Sequence, residues 1–116
     1  MTTAEDTLSQ LIIGAAIEVH KELGGPGLQE SVYEEALFEE LLLRQIAAKR
    51  QVHVPFFYKR NTLSNRLCID LLVADLVIGE IKATSEHNSV FEAQLLTYLR
   101  LTNKRLGLVI NFGFPC

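Results

Sequence analysis

The stretch that most constrains this 116-residue chain is Ile69–Ala83, IDLLVADLVIGEIKA. Its alternating apolar residues read as two short strands. Ile69, Leu71 and Val73 share one face of the first, and Val77, Gly79, Ile81 and Ala83 share one face of the second. Joining those faces in an antiparallel hairpin leaves Ala74-Asp75-Leu76 as a three-residue connection and sets the register. Ile69 then faces Ile81 and Val73 faces Val77. Asp70 faces Glu80 on the opposite side, which Lys82 shares two residues further on. Opposed carboxylates repel unless a cation stands between them, so the hairpin carries the donor set of a metal site. Leu72 and Ile78 lie on the side of Asp70, so both faces are apolar and helices are expected on both.

Composition sets outer bounds. With 48% hydrophobic residues, the chain suits one domain over 1–116 with one modest core. No apolar run approaches the ~18 residues of a membrane span. The polar start MTTAEDTLSQ reads as neither a secretory signal nor a transit peptide. Cys68 and Cys116 make no disulfide framework, and a reducing cytoplasm is expected. A net charge of -3 provides no basic footprint for nucleic acid. Lys49, Arg50, Lys59, Arg60 and Arg66, then Arg100, Lys104 and Arg105, read as a scattered solvated rim.

Around the hairpin, helical spacing of Leu8, Ile12, Ala15, Val19 and Leu23 predicts a helix over about 6–23, capped by Asp6 or Thr7. Gly24-Gly25-Pro26-Gly27 ends it, with His20 near its end in a structural role. A second helix runs to about Arg44 or Gln45, with Glu30, Tyr33, Glu34 and Leu37 on one face. Gln51–Tyr58 is a strand whose Pro55 implies an edge or a bulge, and the polar residues 59–65 form its hairpin loop. A helix over about 90–101 puts Gln94 and Tyr98 one turn apart on one face, and Lys104–Phe112 is a buried strand. The order helix, helix, three strands, helix, strand makes an α/β fold: an α+β mixed sheet with helices on both faces and a last strand free to lie parallel to its neighbour.

Asp70 followed ten residues later by Glu80-Ile81-Lys82 resembles the signature of the PD-(D/E)XK nuclease superfamily. Gly27-Leu28-Gln29-Glu30-Ser31-Val32-Tyr33 is similar to the motif that names the GxxExxY proteins, small bacterial and archaeal members of that superfamily. Further blocks, IDLLVADLVIGEIKA and EAQLLTYLRLTNKRLGLVINFG, follow in family order, so the resemblance spans roughly residues 12–113. Gln94-x-x-x-Tyr98 resembles the accessory motif of the RecB-like branch. Gly79, Phe91 and the longer Gly24-Gly25 loop depart from the usual pattern without removing a ligand. Relatives often continue past this length, so a trimmed or reduced C-terminal edge is expected.

The resemblance implies a restriction-endonuclease-like αβββαβ core and a Mg²⁺- or Mn²⁺-dependent endonuclease or phosphodiesterase acting on DNA or RNA. Asp70 and Glu80 would be hard oxygen ligands, with the Ile81 carbonyl and Glu30 completing the set. Lys82 would hold or help deprotonate the attacking water, while Gln94 and Tyr98 position water or phosphate. A bound organic cofactor is not expected. The acidic balance keeps an alternative open: a catalytically weak or inactive interaction module that works with a protein partner or as a homodimer. A hydrolase of small phosphate esters is a third reading.

Overall fold

The computed structural model describes residues 2–115. Seven elements follow in the expected order: α1 (Ala4–Glu22), α2 (Glu30–Leu43), β1 (Ala48–Tyr58), β2 (Asn61–Val73), β3 (Val77–Lys82), α3 (Val90–Thr102) and β4 (Leu106–Asn111). The strands form one sheet in the order β1-β2-β3-β4, antiparallel except for the parallel β3–β4 pair reached through α3. This is a mixed α/β sheet consistent with the restriction-endonuclease-like fold.

Helix α1 starts earlier than expected. Thr3 is its cap: the Asp6 amide donates to Thr3 Oγ1 at 3.0 Å, and the Asp6 carboxylate accepts from the Thr3 amide in return. At the other end the chain turns through Gly24–Gly27, with Gly27 at φ 121°, a conformation open mainly to glycine. Tyr33 closes this loop. Its hydroxyl donates to the Gly25 carbonyl at 2.8 Å and accepts from the Leu28 amide at 3.1 Å, while its ring stacks on Phe112 at 4.7 Å. The Gly and Tyr of the GxxExxY pattern thus build the α1–α2 connection. His20 is structural as expected: buried, with Nε2 2.8 Å from the Phe114 carbonyl and its ring against Phe112.

Two apolar layers sandwich the sheet. One joins α1 and α2 (Ile12, Tyr33, Leu37, Leu41) to Leu71, Val73, Val77 and Ile81. The other joins α3 (Leu95, Tyr98, Leu99) to Leu67, Ile69, Leu72 and Ile78. Helices therefore cover both faces, as the doubly apolar hairpin implied. At fully buried positions such as Leu37, Leu41 and Leu71, truncation to alanine costs about 2–5 kcal/mol.

The β2–β3 register is the expected one, Leu71↔Gly79, Leu72↔Ile78 and Val73↔Val77, around Ala74-Asp75-Leu76. Ala74 and Asp75 take positive φ of 51° and 59° to make the turn. One expectation fails. Ile69 does not share a face with Leu71 and Val73, nor does it face Ile81: it packs in the α3 layer, whereas Ile81 packs in the other. Strand β1 turns over at the same level, since Ala48 packs toward α1 and α2 while Val52 and Val54 pack toward α3. The β1–β2 register pairs Arg50↔Leu71 and Val52↔Ile69 but skips Gln51 and Asp70, and Gln51 takes a left-handed φ of 51°. Both strands thus cross from one core layer to the other at Gln51 and Asp70.

The β1–β2 turn is also tighter than expected. Residues 61–65 continue β2 rather than forming a loop, leaving Lys59-Arg60 between Tyr58 and Asn61. Strand β1 begins at Ala48 and lies at the sheet edge, with its register shift between Pro55 and Phe57, as the proline required.

Candidate active site

The turnover at Asp70 also ends the β2–β3 ladder. Beyond Leu71↔Gly79 the strands separate, and side chains replace backbone pairing. Asp70 Oδ2 accepts from the Ile81 amide at 2.8 Å, and Glu80 Oε1 lies 3.4 Å from the Asp70 amide. The two carboxylates therefore sit together at the fork between β2 and β3. On the far side of β3 the Lys82 carbonyl accepts from Phe112. Backbone groups alternate direction along a strand, so the Ile81 carbonyl points with its N–H toward β2 and the carboxylates.

Glu80 is 5% exposed, while Asp70 is half-buried. Burial first, and the Asp70 charge second, push the Glu80 acid up to about 8; Lys82 pulls the other way. Lys82 extends over the Phe91 ring, its ammonium 4.8 Å from the centroid. That contact ties the hairpin to the first turn of α3. Tyr98 comes from the next layer, and burial followed by the charges of Glu80 and Asp70 raises its phenol. Gln94, one turn earlier, is exposed, and its side-chain amide opposes that rise. The structure thus gathers Asp70, Glu80, Lys82, Tyr98 and Gln94 around one fork.

Glu30 is the exception. It is exposed in the first turn of α2, where its charge favours the helix N-terminus. Among the described residues no three His, Cys, Asp or Glu side chains gather as a metal-holding group, so Glu30 does not join Asp70 and Glu80. The buried acid of α2 is instead Glu34, one turn on and 6% exposed. It accepts from Arg50 at 3.0 Å and from Gln51 Nε2 at 2.9 and 3.0 Å, and Gln51 in turn accepts from the Cys68 thiol at 3.0 Å. Burial, then the charges of Asp70, Glu80 and Glu34, hold that thiol up. Glu34 thus fixes the strand segment that turns over beside Asp70. Its place on one helical face with Glu30, Tyr33 and Leu37 was the available signal. The face it shares cannot say which of two glutamates, four residues apart, reaches the sheet.

The donor set suits a divalent cation. Two hard carboxylates and a backbone carbonyl lie at the fork; burial first and the Asp70 charge second raise the Glu80 acid, and a cation there would offset the second.

The family model of the PD-(D/E)XK nuclease superfamily matches residues 6–115. The chain belongs to that superfamily, whose nucleases generally use divalent metals. Neither a curated protein nor a solved structure matches it. No helix among the described residues is long and apolar enough to cross a membrane.

Proposed function

We propose that this member of the PD-(D/E)XK nuclease superfamily is a Mg²⁺- or Mn²⁺-dependent hydrolase of nucleic-acid phosphodiester bonds, of the GxxExxY branch, working in the cytoplasm. The observation that carries the reading is the pairing of Asp70 with Glu80 at a fork where strand pairing gives way to carboxylates. A fold gains nothing from setting a buried acid, Glu80 at 5% exposure, against the half-buried Asp70 unless something binds them. Asp70, Glu80 and the Ile81 carbonyl would hold the cation. When bound, it supplies Lewis-acid polarisation of a phosphoryl oxygen and a water acidified for attack.

The remaining work falls to the chain's own groups. Lys82 is a mobile point charge with three donors, suited to orient a water and to meet negative charge on the phosphoryl oxygens. Its present contact with Phe91 is worth only about 0.5–1 kcal/mol at a half-exposed site, so the ammonium is cheaply released toward substrate. Tyr98 keeps its proton through neutral pH and can donate a hydrogen bond to a phosphate oxygen, with Gln94 orienting the hydroxyl. Glu34 acts through Gln51, holding the segment opposite Asp70.

The absence of Glu30 from the carboxylate pair favours one other reading, a scaffold that keeps the fork without turnover. One experiment separates them: Mn²⁺ titration by calorimetry on wild type and Asp70→Ala/Glu80→Ala, followed by a nuclease assay on the same samples. Binding and cleavage that vanish together in the variant support the nuclease. Binding without cleavage, or equal heats in both proteins, gives the interaction module the lead.

A further inference from the structure

Charge is distributed unevenly along the chain. Between Glu40 and Asp70 there is no acidic residue, yet this span holds six of the 11 lysines and arginines. The other five stand among all 14 acids. Within the span, Arg44 pairs with Glu40 and Arg50 with Glu34. No ion pair among the described residues involves Lys59, Arg60 or Arg66.

Those three cations lie on the β1–β2 hairpin where it runs beyond the sheet. Strand β2 pairs with β3 only from Leu71 onward, so past Asp70 the hairpin has no neighbour on that side. Every residue from Phe57 to Arg66 is exposed. The arm also carries aromatic rings where solvation alone would place polar groups: Phe57 is 66% and Tyr58 62% exposed, and the Lys59 ammonium stands 5.5 Å over the Tyr58 ring. The arm leads into the carboxylate fork. Arg66, Cys68 and Asp70 follow one another at two-residue spacing on β2, which puts Arg66 roughly 13 Å and the turn about 30 Å from Asp70 at ~3.3 Å per residue.

We infer that this arm binds single-stranded nucleic acid and feeds it toward Asp70 and Glu80, an assignment that rests on the nuclease reading and names its substrate class. Free cations beside open aromatic faces are the two components of a strand-tracking surface, phosphate neutralisation and base stacking. The acidic remainder of the molecule repels a polyanion, so the arm is where the charges are complementary. The rings decide between strand types. Phe57 and Tyr58 can stack only on bases whose faces are open, and a duplex has already stacked its own.

The test is fluorescence anisotropy in EDTA with a labelled oligothymidylate and with the corresponding duplex, over a range of salt. Wild type is expected to bind the single strand more tightly than the duplex. Phe57→Ala/Tyr58→Ala should weaken single-strand binding roughly tenfold or more, from ~1–3 kcal/mol per stacked base. Lys59→Gln/Arg60→Gln/Arg66→Gln should lower the slope of log affinity against log salt by about 2, at ~0.7 per phosphate contact on a single strand. All five positions are exposed, and thermal melting checks that each variant keeps the wild-type fold. Unchanged affinity and slope, or a duplex bound as tightly as the single strand, would overturn the assignment. So would arm variants that alter self-association in sedimentation while oligonucleotide binding stays intact, since the arm would then serve a second copy. Binding in EDTA requires no turnover, so the two readings fail separately. Intact cleavage with unaffected binding in the arm variants removes the arm alone. Arm-dependent binding with no cleavage by wild type in Mn²⁺ removes the nuclease reading alone.

Discussion

Replacing Glu80 with glutamine in the metal-free protein should stabilise it, by an amount that depends on pH in a defined way. Glu80 is 5% exposed, and burial together with the Asp70 charge moves its acid from 4.5 up to about 8. Between those values the unfolded chain has lost a proton that the folded chain retains, so wild-type stability falls as pH rises. The contribution is intact below pH 4.5, declines through the window and levels off above about pH 8. At pH 7 the gap to the unfolded value amounts to on the order of 3 kcal/mol at ~1.36 kcal/mol per unit, a large share of the ~5–15 kcal/mol that holds a domain folded.

Glutamine has the same shape, keeps an oxygen toward the Asp70 amide and cannot ionise. Glu80→Gln should match wild type near pH 4.5 and exceed it by about 3 kcal/mol at pH 7 and about 4 kcal/mol at pH 8, at ~1.36 kcal/mol per unit, measured by urea unfolding in EDTA. Saturating Mn²⁺ should close that gap and then reverse the order at pH 7: a hundredfold excess over Kd adds ~2.7 kcal/mol to the wild type and a thousandfold excess ~4.1 kcal/mol, while a variant that binds no metal gains nothing. A difference that stays flat from pH 4.5 to 8, or a variant less stable than wild type at pH 8, would refute the account of the buried acid.

Four further outcomes are expected. Lys82→Ala should retain Mn²⁺ binding by calorimetry while losing about 10²–10⁴-fold in cleavage rate, because the amine acts on water and phosphate. Tyr33→Phe should cost about 1–2 kcal/mol in urea unfolding and leave metal affinity unchanged, since its hydroxyl serves the Gly25 carbonyl and Leu28 amide. Glu34→Ala should destabilise by about 1–2 kcal/mol by removing the acceptor that Arg50 and Gln51 share, whereas Glu30→Ala should stay within about 0.5 kcal/mol of wild type; equal effects would contradict the roles assigned to the two glutamates. Gly113→Ala should lower the melting temperature strongly, because the added Cβ would come within 2.1 Å of the Thr84 carbonyl, and backbone cannot yield as a side chain can.

Much of this was legible in residue order. Element sequence, the Ala74-Asp75-Leu76 connection, the register placing Asp70 against Glu80 and the parallel last strand all follow from local periodicity. Short-range patterns suffice there because a hairpin with an apolar face has one register that buries it. The pairing of Gln94 with Tyr98 was equally local, one turn of one helix. Thr3 as the α1 cap was legible too, since Thr-x-x-Asp stands in the sequence, but the apolar periodicity drew the boundary inward.

The sequence by itself determined which residues alternate, which helices have an apolar face and which acids fall near one another on a hairpin. Only the tertiary structure decided which layer each alternating residue enters. Ile69, Leu71 and Val73 keep perfect two-residue spacing, yet Ile69 packs under α3 and the others under α1 and α2. The crossing depends on a left-handed residue on a different strand, Gln51, clamped by Glu34 from a helix. Periodicity describes one strand at a time and cannot register a twist imposed by two others. The same long-range packing selects Glu34 over Glu30, and parts β3 from β2 so that the β1–β2 hairpin carrying Phe57, Tyr58, Lys59, Arg60 and Arg66 stands exposed. Local order set the chemistry available; the convergence of three elements at Asp70 set where it is used.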